Sequence, residues 1–311
     1  MTCRSGRHFL QIPGPTNVPE RILRAIDRPT IDHRGPEFGQ LGRRVLDGIR
    51  QVFGTHNPVV IYPASGTGAW EAALVNTLSP GDRVLMAETG HFATLWQKMA
   101  VRLGLESEFI PGDWGRGADA QAIGARLAED REHRIKAVCV VHNETSTGAT
   151  SRIPLVRKAI DDARHPALLM VDTISSLGSI DYRADEWGLG ILCVEPAEYS
   201  NALTAVVMPE GHDADRLREI ILERFDMSLG AGLAKLKGTV FRIGHLGDFN
   251  DLTLMGTLSG VEMGLACAGV PHRAAGVRAA MDALTASAAA GASTTVASAH
   301  AALEPRTAQP A

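Results

Sequence analysis

The sequence predicts an α/β protein: a large domain on a mostly parallel sheet, followed by a small α+β domain. Three observations carry that expectation. Short apolar runs recur at 58–62, 83–87, 137–142 and 167–172, each bounded by Gly, Pro, Asp or Asn. They scarcely alternate with polar residues, which is how a strand covered on both faces of a parallel sheet reads. Amphipathic stretches of helical length, such as 68–78 and 153–164, lie between them and complete the strand–helix alternation of an open sheet. The texture then changes after Trp187-Gly188.

Beyond that point strands are expected at 203–208 and 240–244, and helices at 213–225 and 252–268. Gly269 and Pro271 stop the last helix. Residues 1–188 are assigned to the large domain and 189–284 to the small one. The stretch 285–311 is Ala-, Ser- and Thr-rich, and is expected to begin helical and fray into a disordered tail. Asp248-Phe249-Asn250-Asp251 opens like a calcium loop, but the Gly and terminal Glu spacing is absent, so it reads as the cap of the helix that follows.

The 311 residues suffice for two cores, and 45% hydrophobic with 21% charged residues is an ordinary globular balance. A net charge of −4, with Lys and Arg scattered, gives no basic stripe for nucleic acid or an anionic membrane. No apolar run reaches the length of a membrane span, and no apolar core of a signal peptide follows the first residues, so a cytoplasmic location is expected. Cys3, Cys139, Cys193 and Cys267 form no C-x-x-C pair; they read as reduced thiols, with Cys139 and Cys267 expected to be buried. The histidines show no metal-ligand spacing, and no metal is expected.

Four stretches carry chemistry. Tyr62-Pro63-Ala64-Ser65-Gly66-Thr67-Gly68 stands between a strand-like run and a helix. Its glycines let backbone N–H groups approach an anion, Ser65 and Thr67 add hydroxyls, and the helix start favours negative charge. A plain capped turn is the alternative. Asp172, in Val171-Asp172-Thr173-Ile174-Ser175-Ser176-Leu177-Gly178, ends a buried strand where open sheets place their ligands; it reads as a partner for a cationic ring, a helix cap or a metal ligand. His142-Asn143-Glu144-Thr145-Ser146-Thr147-Gly148 gathers polar side chains at another strand end, for orienting a ligand or as an ordinary loop. Arg242, inside the apolar run Val240-Phe241-Arg242-Ile243-Gly244, needs either a bound carboxylate or a structural ion pair.

In this order the four stretches resemble the class V pyridoxal-phosphate-dependent aminotransferases, most closely the serine–glyoxylate and alanine–glyoxylate branch. Pro13-Gly14-Pro15-Thr16-Asn17-Val18-Pro19 matches the amino-terminal signature of that branch. The resemblance implies fold type I and transfer of an amino group from serine or alanine to glyoxylate. It also implies small amino-acid and 2-oxo-acid substrates and a homodimer. Pyridoxal 5′-phosphate is the implied cofactor. Ser65, Gly66 and Thr67 would hold its phosphate, and Phe92 and Ile174 would lie on the two ring faces. Thr145 would sit near the ring oxygen, Asp172 would keep the ring nitrogen protonated, and Arg242 would grip the substrate α-carboxylate.

One part of the family pattern is missing. After Asp-Glu-Trp-Gly the family continues into a strand ending in Ser-Gln-Lys-Gly, whose lysine forms the Schiff base. Here Asp185-Glu186-Trp187-Gly188 runs directly into Leu189-Gly190-Ile191-Leu192-Cys193, which resembles the start of the small domain. By the family layout roughly 90 to 100 residues are absent, with sheet strands among them. The reading is an internal deletion that removes the catalytic lysine and the usual partner-subunit contacts to the phosphate. Of the five lysines, Lys98, Lys136, Lys158, Lys235 and Lys237, only the last two lie in a loop near Arg242. The alternative to a working transaminase is a catalytically inactive remnant that binds the cofactor weakly or not at all. A cysteine-desulfurase-like activity ranks last, since no cysteine sits in an obvious active-site loop.

Overall fold

The computed structural model describes residues 6–182, 185 and 200–301. The junction at 186–199 therefore lies outside the described residues. Four strands form the first sheet: β2 (Arg83–Ala87), β3 (Glu106–Ile110), β4 (Ile135–Val141) and β7 (Leu168–Asp172). They run in the order β3-β2-β4-β7, all parallel. The period of two sends alternate side chains to opposite faces. Val84, Met86, Ala137 and Cys139 pack with Trp70, Leu74 and Trp96, whereas Leu85, Val138 and Val140 pack with Ile123, Leu127, Val156 and Ile160. Helices α3 (Gly66–Thr77) and α4 (His91–Arg102) cover the first face, and α5 (Ala120–Glu129) and α6 (Ile153–Asp162) the second. Both faces are buried, which is why these strands read as continuous apolar runs.

The second sheet has the order β1-β9-β10-β8, from β1 (Phe9–Gln11), β8 (Leu203–Val207), β9 (Met227–Ala231) and β10 (Val240–Gly244). The pair β1–β9 is parallel and the other pairs are antiparallel. Helices α7 (Ala214–Phe225) and α8 (Asp251–Cys267) close one face through Leu217, Ile221, Phe241 and Val261. The amino-terminal strand thus belongs to the second layer, across the boundary read at residue 188. Asn250 caps α8 by accepting from Thr253 N at 2.9 Å, in the segment read as a helix cap. Helix α9 spans Gly276–Ala301, so helical backbone continues past 285; alanine has the highest helix propensity. Residues 302–311 lie outside the described residues.

Two expectations need correction. The run 58–62 is not a strand: Val60 and Ile61 are 67% and 60% exposed, and no strand of the described residues pairs with them. A β-rich stretch becomes a strand only when a neighbour takes up its backbone hydrogen bonds. Cys267 is exposed rather than buried; it lies on the outer side of α8, where Arg224 Nη1 approaches its sulfur at 3.6 Å. Strand β7 is an edge strand among the described residues, and Leu168 on it is 49% exposed. Helix α2 (Pro36–Phe53) buries none of its residues despite an apolar face. No helix of the described residues is long and apolar enough to cross a membrane.

Candidate functional site

The carboxyl ends of β2, β4 and β7 lead into Gly90-His91-Phe92, His142–Gly148 and Asp172–Ser176, the edge at which open α/β sheets bind ligands. A cavity of about 570 Å³ opens there. Phe92, Thr145, Ile174 and Ser175 line it from the first layer, and Gly230, Ala231 and Arg242 from the second. Pro13, Gly14 and Thr16, from the amino-terminal signature, line it too.

Asp172 is 7% exposed. Its Oδ1 accepts from Ile174 N at 2.8 Å and its Oδ2 from the Trp70 indole at 3.1 Å. Burial pushes this carboxyl above the usual range; the two N–H donors oppose that shift and the nearby Glu144 adds to it. Among the described residues no group of three or more His, Cys, Asp or Glu is placed to hold an ion.

Ser65, Gly66 and Thr67 form the first turn of α3, and Trp70 on the same helix ties that turn to Asp172. Ser65 Oγ and Thr67 Oγ1 lie 2.7 Å apart, and Ser65 makes no side-chain cap, so the first amides of α3 remain available to an anion. A Cβ on Gly66 would lie 3.3 Å from Ile174, which places the turn beside the cavity wall.

Glu144 is fully buried at the start of α4. It accepts from Phe92 N at 3.3 Å, Ala93 N at 3.2 Å, Ser146 N at 3.1 Å and Ser146 Oγ at 2.6 Å. Gly90, the cap position of α4, offers no side chain, and the carboxylate does that work from across the sheet. Thr145 is held by Ser175: Thr145 Oγ1 donates to Ser175 Oγ at 2.7 Å, and Ser175 Oγ donates to Asn143 O at 2.9 Å. The stretch read as a candidate polar loop is thus a largely buried network that contains β5 (Asn143–Glu144) and turns into β6 (Ala149–Thr150), with which β5 pairs.

Arg242 is 8% exposed and joins the two layers. Its Nε donates to Ala231 O at 2.8 Å and its Nη1 to Thr145 O at 2.6 Å. Neither partner is a carboxylate. Burial, then repulsion from Arg218, lowers its pKa, and Glu144 opposes both.

None of the five lysines lines the cavity. Lys136 donates to His133 O and Lys158 pairs with Asp162, both on exposed surface. Lys235 lies 3.9 Å over the Trp114 ring and 4.0 Å from Glu88, outside the cavity wall. Of the site residues read from the sequence, Phe92, Thr145, Ile174 and Arg242 line the cavity, whereas Ser65, Gly66, Thr67 and Asp172 are not among its lining residues. The structure adds Trp70, Glu144, Ser175 and Arg218, whose roles depend on contacts with distant elements.

The residue types fit a pyridoxal phosphate: uncapped amides at the start of α3, the buried acceptor Asp172, and Phe92 and Ile174 on the cavity wall. They supply no amine for a covalent link.

Residues 8–194 match the model of the class-V aminotransferase family. The serine–glyoxylate aminotransferase of Methylorubrum extorquens is 36% identical, the alignment covering 86% of this chain and 94% of that protein. The Arabidopsis thaliana serine–glyoxylate aminotransferase is 34% identical, over 86% of this chain and 92% of its own length. The bacterial alignment runs over 376 positions, more than the whole 311-residue chain, so that relative holds residues for which this chain has no counterpart. The crystal structure of ureidoglycine–glyoxylate aminotransferase from Bacillus subtilis shares the fold, with a TM-score of 0.79 at 19% identity, covering 91% of this chain and 99% of the other. The fold is that of the type I pyridoxal-phosphate enzymes, and the chain belongs to the class-V aminotransferase family, whose cofactor is pyridoxal 5′-phosphate.

Proposed function

We propose that the cavity is the cofactor and substrate site of a glyoxylate-type aminotransferase, retained in a chain that lacks the lysine needed for turnover. The single observation behind this reading is the composition of the cavity. Phe92, Thr145, Ile174 and Arg242 converge on it beside Asp172, while no lysine does. Ser65, Gly66 and Thr67 take the cofactor phosphate, Phe92 and Ile174 flank the ring, and Thr145 lies by its oxygen. Asp172 faces the ring nitrogen. Arg242 binds the α-carboxylate of an amino acid or a 2-oxo acid, serine, alanine and glyoxylate being the expected ones. When bound, the cofactor supplies an electron-withdrawing ring for chemistry at the amino-acid Cα.

The chain's own residues can position both molecules and shield them from water. A proton at Cα still needs a positioned base, and losing one costs about 10²–10⁴-fold in rate. The exposed run 58–62 and the edge of β7 that is unpaired among the described residues support the absence of a strand-bearing block between 188 and 189. We place the chain in the cytoplasm; sedimentation will establish whether it forms the family's homodimer.

The test is chemical. The purified chain is mixed with pyridoxal phosphate, reduced with borohydride and mapped by mass spectrometry. Expected are no modified lysine, no glyoxylate-dependent loss of serine or alanine, and a reversible spectral change of the cofactor that is lost in Asp172→Ala. A stoichiometric adduct on Lys235 or Lys237, together with glyoxylate-dependent loss of serine, overturns the reading.

A further inference from the structure

Two guanidinium groups face the same cavity. Arg242 enters from β10, and Arg218 enters from α7, with its Nε donating to Leu229 O at 2.7 Å and its Nη1 paired with Asp215 at 2.9 Å. They are the only charged residues among the described residues that line the cavity. The rest of the wall is apolar, glycine or hydroxyl-bearing. Each arginine commits Nε and Nη1 to protein partners, and each keeps Nη2 for a ligand among the described residues. The two cations also act on each other, since Arg218 contributes to lowering the Arg242 pKa. The anions that offset them, Asp215 and Glu144, do not line the cavity. Two like charges turned into one partly desolvated space are unfavourable until an anion answers both.

We infer that Arg218 is a second carboxylate-binding residue and that the cavity takes small dicarboxylic amino and oxo acids. One carboxylate meets Arg242 and the other meets Arg218, with Leu229 and Ala231 lying against the methylene groups between them. This rests on the reading of Arg242 as the α-carboxylate grip. It extends that reading by adding an acidic substrate class beside serine, alanine and glyoxylate and naming the residue that meets its second carboxylate.

The experiment is calorimetric titration of the full chain, at low salt and neutral pH, with butyrate, succinate, glutarate and sulfate. One carboxylate separates the dicarboxylates from butyrate. A charge-assisted hydrogen bond predicts that at least one dicarboxylate binds about 10-fold or more tightly than butyrate. Arg218→Met is expected to abolish the preference for dicarboxylates over butyrate. Arg218→Lys keeps the cation and retains part of the preference, and Arg242→Met weakens both ligand types. Equal binding of butyrate and both dicarboxylates to the unaltered chain overturns the inference, whatever the folding of the variants. So does sulfate binding as tightly as the better dicarboxylate. Butyrate binding that needs Arg242 without any dicarboxylate preference removes only the role of Arg218. Butyrate binding that ignores Arg242→Met removes the α-carboxylate reading as well.

Discussion

The indole of Trp70 donates to Asp172 Oδ2 at 3.1 Å, joining the helix of the anion-binding turn to the edge strand of the large sheet. Trp70 is 5% exposed and stacks on Trp96, with ring centroids 5.5 Å apart. Trp70→Phe keeps most of the packing and removes the donor. It is expected to cost about 1–3 kcal/mol, the penalty for under-satisfying a buried acceptor. It also raises the Asp172 pKa further, since the lost N–H is one of the two that hold it down. Urea unfolding of Trp70→Phe, Asp172→Asn and the double variant checks this: the two losses should fall short of additivity.

Gly90 and Glu144 offer a second test. A Cβ at position 90 would lie 2.4 Å from Glu144 Cγ and 2.6 Å from Ser146 Oγ. Gly90→Ala must therefore push the buried carboxylate off the amides of Phe92 and Ala93. Overpacking of this kind costs about 1–3 kcal/mol. Glu144→Ala removes the carboxylate part of the clash and leaves only Ser146 Oγ to give way, so Gly90→Ala should cost less in that background. An equal thermal shift in both backgrounds contradicts the contact.

The α/β class and five of the eight strands in the two four-stranded sheets were legible, those of the first because burial on both faces leaves a mark on each strand's own residues; β1, β3 and β9 were not. Arg83–Ala87 and Leu168–Asp172 read as covered strands and are strands of the buried sheet. The run 58–62 carries the same mark and stays exposed coil, because pairing depends on a neighbour that local sequence does not specify. The site followed the same rule. Asp172 and Arg242 stood out as charges in apolar runs. Trp70, Glu144 and Ser175 did not, since their meaning lies in partners dozens of residues away, such as the 52-residue separation between Glu144 and Phe92. Arg218 sits in an ordinary amphipathic helix, and only the fold turns it toward the cavity.

Burial lowers the His142 pKa to about 4, against the partial opposition of Asp181, and its side chain is 3% exposed with the residue. The unfolded chain takes up this proton near pH 6.5, whereas the folded chain resists until about pH 4. The stability contribution is therefore present above the unfolded value and declines as the pH falls between them. Integrated over that window it amounts to about 3 kcal/mol. Unfolding free energies of the unaltered chain and His142→Asn, measured from pH 7 to pH 4, should converge as the pH falls. Parallel curves contradict the buried neutral imidazole.

The cysteines provide a test of packing rather than charge. Cys139 is 2% exposed on β4, and burial pushes its thiol up to about 12, so almost no thiolate exists there at neutral pH. Cys267 is exposed on α8, within 3.6 Å of Arg224 Nη1. Brief alkylation of the native chain followed by peptide mapping should mark Cys267 and leave Cys139 unmodified. Denaturant should make Cys139 react at a comparable rate. Because Cys139 packs with Val84, Met86 and Trp96 in the core beneath the site, early labelling of that residue would mean that the sheet opens in the native state. The difference between the two rates thus reports whether the large sheet remains closed although β7 has no partner on its outer edge among the described residues.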